Sequence, residues 1–117
     1  MVHTQPTQID KDAREVAEQL LALLAFRPND EASLREWYRQ AQIFADFLKA
    51  RPEISDRIPI RIWQFVSDAD IRMRDEWLAR DQEVVVRKFV SGLRRGLFLP
   101  ERDIDMEPDT NRRVGDD

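Results

Sequence analysis

The densest run of chemistry in the chain is Ser67-Asp68-Ala69-Asp70-Ile71-Arg72-Met73-Arg74-Asp75-Glu76-Trp77. Four acids and two arginines in eleven residues are the side chains that hold divalent cations or phosphates. A calcium loop of EF-hand type would follow Asp68 and Asp70 with a third oxygen ligand, then a glycine, then a closing glutamate. Here Arg72 stands at the third ligand position and Met73 at the glycine position, and both arginines would compete with a cation. No metal ligand is assigned.

The same spacing has a structural use. Ser67 followed three residues later by Asp70 is a helix-capping pattern ahead of a periodic run. Asp68 with Arg72 and Asp70 with Arg74 are acid-before-base pairs one helical turn apart, worth about 0.2–0.5 kcal/mol each. Arg72 also reaches towards Glu76. Asp68 and Asp70 suit the positive end of a helix dipole. The stretch is expected to be a capped, ion-paired helix start.

Other chemistries find less. The only histidine is His3, in the polar leader. No cysteine is present, which removes thiolate metal sites, disulfides and cysteine nucleophiles, and fits a reducing compartment. No glycine precedes Gly92, so there is no Gly-rich phosphate loop. Ser33, Ser55 and Ser67 occupy capping or turn positions, and Ser91 is isolated. An all-helical nucleotide pyrophosphohydrolase would need carboxylates repeated along one helical face. The acid pairs Asp30-Glu31, Asp75-Glu76 and Asp116-Asp117 do not supply that. The expectation is a protein that is not an enzyme and carries no cofactor.

The elements follow from periodicity. A chain of 117 residues, 42% hydrophobic and 36% charged, is expected to form one domain able to bury a core without staples. Ile9, Ala13, Val16, Ala17, Leu20, Leu23 and Leu24 share a stripe, giving a first helix over about 9–26. Leu34, Trp37, Tyr38, Ala41, Phe44, Ala45 and Leu48 give a second over about 31–50, capped by Asn29 or Asp30 with a further Ser33–Glu36 capping pattern.

Residues 58–66 read either as a strand, from their alternating isoleucines, or as a short buried helix opened by Pro59. No second strand-like run exists to pair with, so the helix is preferred; a strand would require another copy of the chain. Ile71, Leu78, Val85, Phe89, Val90 and Leu93 define a third helix over about 68–95, stopped by Gly96. The fold class is therefore all-α: a small bundle of three main helices with a short buried segment between the second and third. Residues 1–8 form a flexible leader, 9–100 the helical domain, and 101–117, with seven acids, an acidic flexible tail.

Surface chemistry narrows the function class. The longest apolar run, Leu20–Phe26, is too short for a membrane span and the N-terminus lacks a secretory plan, so a cytoplasmic protein is expected. Arginine supplies sixteen of nineteen basic residues, a bias that leans towards a bacterial or phage source. A net charge of −4 opposes duplex binding, although Arg87, Lys88, Arg94 and Arg95 form a local basic cluster that could contact nucleic acid.

Apolar residues are in surplus. Met73, Trp77 and Val84 lie well away from the main stripe of the third helix, and Ile43 and Phe47 lie opposite that of the second. Three helices have little room to cover both faces of two of them. These five residues are the expected contact surface for another protein or a second copy, as a homodimer, adaptor, inhibitor or immunity-type regulator. A nucleic-acid-associated regulator using the basic cluster is the alternative, and a small metal-dependent hydrolase ranks below both.

Overall fold

The computed structural model describes residues 7–105, over which the chain is all-α, with no strand among the described residues. Helix α1 spans Gln8–Ala25, α2 Glu31–Lys49, α3 Pro52–Ser55, α4 Ile60–Ser67, α5 Ala69–Arg72, α6 Glu76–Arg94 and α7 Glu101–Asp105. The long helices α1, α2 and α6 form a small bundle. Helix α1 packs on both others, while α6 also carries α4, α5 and α7. No helix among the described residues is long and apolar enough to cross a membrane.

Caps set where the helices begin. The Thr7 hydroxyl accepts from the Asp10 N–H at 3.1 Å and the Asp10 carboxylate accepts from the Thr7 N–H at 3.2 Å, a reciprocal box that starts α1. At α2 the box is made by Asp30 and Ser33, with Ser33 N–H donating to Asp30 at 2.8 Å. The expected Ser33–Glu36 pairing is not formed; Glu36 instead accepts from Arg39.

The core is built largely from the predicted stripes, joined by Val86, which they did not include. Val16, Leu20, Trp37, Phe44, Leu48, Val85, Val86 and Phe89 are almost fully buried. Trp37 also satisfies a backbone group, donating from Nε1 to the Leu23 carbonyl in the last turn of α1 at 3.0 Å. The 58–66 segment is helical: Pro59, at φ −67° and ψ 156°, precedes the first turn of α4, and Ile62 and Phe65 point inward.

Two expectations require correction. The helix predicted over 68–95 is broken at 73–75, leaving α5 and α6 as separate elements. Asp75 turns extended, with φ −135° and ψ 96°, and its carboxylate accepts from the Leu78 N–H at 3.0 Å, which caps a new helix. The break rotates α5 relative to α6, so Ile71 leaves the expected core stripe and stands 40% exposed.

The acidic segment after Pro100 is also not unstructured from its start. Residues Glu101–Asp105 form α7, because Ile104 finds a fully buried place against α4 and α6. The rest of the expected tail, 106–117, and the leader residues 1–6 with His3, lie outside the described residues.

The end of α6 is shaped by two glycines. Gly96, at φ 79°, allows its own N–H to donate to the Leu93 carbonyl and the Leu97 N–H to donate to the Gly92 carbonyl, each at 2.9 Å. This pairing is a Schellman motif. At Gly92 a Cβ would stand 2.6 Å from Leu99 Cγ, so the returning chain packs where a side chain would be.

Candidate partner-binding face

The opening acid–arginine run is divided between two helices and its charges take partners that sequence spacing does not pair. Ser67 closes α4, its hydroxyl donating to the Trp63 carbonyl at 3.0 Å, and caps nothing. Arg72 turns inward. Its Nη1 donates to the Phe65 carbonyl and to Gln82 Oε1, both at 2.7 Å. Its guanidinium carbon lies 4.2 Å from the Phe65 ring centroid and 4.9 Å from that of Trp37. Gln82 in turn donates to Asp68 at 3.0 Å.

Burial pushes the Arg72 guanidinium down to about 10, against the pull of Tyr38, Asp68, Glu83 and Asp70, so it stays charged at neutral pH. Asp70 accepts from the Tyr38 hydroxyl at 2.8 Å, and that hydrogen bond holds its carboxyl below the usual range. Burial raises the Tyr38 phenol. Every charge of the run that enters the interior is thereby spent on joining α4, α5, α6 and α2.

A cleft of about 60 Å³ lies over this joint, walled by Leu23, Trp37, Phe65, Arg72 and Met73. It is small beside the usual ligand pocket, for which roughly 300 Å³ is a lower limit. Among the described residues no three His, Cys, Asp or Glu side chains gather as a metal site requires.

A second polar anchor, invisible in the spacing, sits at the other end of the bundle. Asp12 is buried in the first turns of α1 and accepts from Arg51 Nε at 3.2 Å and from Gln8 at 3.0 Å. Arg51 also covers the Phe47 ring at 3.8 Å and donates to the Phe47 carbonyl.

The five expected contact residues are treated differently. Trp77 is 75% exposed, the largest exposure of any big apolar side chain among the described residues, and Met73 and Val84 are each 39% exposed. Ile43 is 54% exposed, beside a groove that α1 and α2 form around Gln19, Ala22 and Phe44. Phe47 packs against the core under Arg51 and is half-buried.

The five do not form one patch by helix packing, since α2 lies against α1, α3 and α5, while Trp77 and Val84 ride on α6. Ile60 and Leu97 are exposed apolar residues that periodicity did not single out, and Ile71, expected in the core stripe, is exposed as well. Their signal was available only as positions flanking helix ends. In the basic cluster, Arg87, Arg94 and Arg95 are exposed and Lys88 is half-buried.

Compared with protein-family models, with curated proteins and with solved structures, the chain matches none.

Proposed function

We propose that the chain is a non-enzymatic protein-binding module, acting as an adaptor, inhibitor or similar regulator in the cytoplasm of a bacterial cell. Its contact surface is the outward side of α6 together with the Met73–Asp75 link, centred on Trp77. One observation carries the reading: an indole is held 75% in water on a well-formed helix. Covering it would bury on the order of 150 Å² of largely apolar surface, worth up to about 4 kcal/mol by area. Residues of that size, ringed by charge, are those that dominate interfaces. Arg74, Glu76 and Arg80 supply such a ring.

The test uses the Trp77→Asp variant, first shown by circular dichroism to fold as the parent does. Sedimentation and affinity capture from the producing cell are then compared between the two chains. Loss of a captured protein or of self-association supports the reading, and identical mass with an identical captured set refutes it.

Nucleic-acid binding through Arg87, Lys88, Arg94 and Arg95 is the second reading, favoured by the exposure of three of them at one helix end. It predicts duplex retention that falls steeply with salt. The net charge of −4 stands against it.

A further inference from the structure

We propose that the partner at the Trp77 face is an acidic amphipathic helix, aligned along α6 by a lane of arginines beside the apolar stripe. The inference rests on the reading of that face as a binding surface. Trp77 and Val84 are seven residues apart, so they lie within about 20° of each other round α6. Arg80, Arg87 and Arg94 repeat at the same interval, displaced from the stripe by about 60°. All three are exposed.

Their opposing charges are few. Arg80 makes a loose, solvent-open pair with Glu76 at 3.6 Å, and Arg87 and Arg94 have no ion pair among the described residues. The acids further along α6 are already engaged: Asp81 accepts from Arg61 and Glu83 from Arg27, each at 2.6 Å. An acidic chain thus presents one basic lane beside Trp77, the most exposed of its large apolar side chains among the described residues, and Val84. The seven-residue interval from Trp77 to Val84 is the spacing of contacts between two helices packed side by side, and the flanking charges choose the partner.

Charge also separates the candidate occupants. A parallel second copy would bring the lane of each helix against the opposite flank of the other, where Asp81 is already held by Arg61. An antiparallel copy centred on Val84 would set the lane against itself, with Arg80 facing Arg87 of the other copy. Nucleic acid would meet Asp75 and Glu76 at one end and gain nothing from Val84. A helix with leucine-like residues every three or four positions and glutamates alongside satisfies both stripe and lane.

The experiment pans a displayed library of helical peptides against the immobilised full chain and, in parallel, against Trp77→Asp. The peptides carry leucine at heptad core positions and Glu, Lys or Ser at the flanking ones. Glu should be enriched over Lys by about tenfold, the combined effect of three exposed ion pairs. Enrichment should vanish on Trp77→Asp. A selected peptide, once synthesised, should bind the Arg87→Glu, Arg94→Glu double variant several-fold more weakly.

Enrichment that is equal on Trp77→Asp overturns the binding face itself. Enrichment that needs Trp77 but favours Lys or Ser overturns the acidic partner alone. No enrichment at all overturns the helical partner. Concentration-dependent dimerisation lost in Trp77→Asp assigns the face to a second copy and overturns the proposal. So does salt-sensitive binding of a 24-base-pair duplex that Arg87→Glu, Arg94→Glu abolishes.

Discussion

Arg72 and Trp77 stand five residues apart, each where the other's chemistry belongs. The cation is drawn into the joint between α2, α4 and α6, stacked near two aromatic rings, while the indole stands 75% in water. The link at 73–75 produces this inversion. It ends one helix with Arg72 aimed inward and lets Asp75 start another with Trp77 facing out. The difference separates two uses of a costly placement. A buried guanidinium is tolerated because its hydrogen bonds and aromatic walls offset part of its lost hydration, and it fixes how three helices meet. The exposed indole adds little to the fold, and its placement is the feature on which the proposed binding face rests.

That contrast can be broken at either end, and the largest effect belongs to the inner residue. Arg72→Ala should lower unfolding free energy by about 3 kcal/mol in urea titration, since it leaves Gln82 Oε1 and the Phe65 carbonyl unpaired and a gap beside Trp37. A loss below about 0.5 kcal/mol would rank Arg72 with ordinary surface residues and dissolve the comparison.

Asp75→Ala tests the link itself. Removal of the cap should cost about 1 kcal/mol, and it should raise amide exchange first at Trp77 and Leu78.

Tyr38→Phe acts on the pH response. Asp70 is depressed chiefly by the Tyr38 hydroxyl, so it stabilises the fold above its unfolded value, near pH 4, and that contribution disappears as pH falls through the lower folded value. The parent should therefore lose more stability between pH 6 and pH 3 than Tyr38→Phe does. Asp30 and Glu36, lowered by their own local hydrogen bonds, titrate alike in both proteins and cancel in the difference. Equal losses would detach Asp70 from Tyr38.

The smallest effect on stability is expected at the outer residue. Trp77→Ala should stay within about 0.5 kcal/mol of the parent. A loss of 2 kcal/mol or more would mean that the indole packs in the fold after all, with the order-of-magnitude threshold set by core truncations.

The bundle was legible because its helices carry their own phase. The stripes of α1 and α2 predicted their inward residues almost position by position, and the inward side of α6 from Val85 to Leu93 followed the same way. The off-stripe placement of Trp77 and Val84 was legible for the same reason, whereas Met73 is exposed on the link between α5 and α6, where that phase does not run.

The interruption at 73–75 was not legible, because Met73 and Arg74 are good helix formers and Asp75 is tolerated inside a helix as well as at its start. Ser67 misled since its capping pattern is satisfied in sequence but the residue is needed to finish α4. The inner partners of Arg72 and the Asp12–Arg51 bond span 7 to 39 residues, and side-chain spacing along a single helix holds no information about such pairs. Phe47 shows the same limit: its exposure depends on Arg51, which folds back over it from the end of α2.

The three tryptophans also divide the molecule optically. Trp37 is shut in the core and hydrogen-bonded to the Leu23 carbonyl, Trp63 is half-buried on α4, and Trp77 faces water. A diffusible quencher such as iodide will therefore reach Trp77 and leave Trp37 bright. Unfolding moves the emission of Trp37 to the red, whereas covering the outer face moves that of Trp77 to the blue. A single emission spectrum thus reports loss of the core and gain of a partner as shifts of opposite sign, with no label attached.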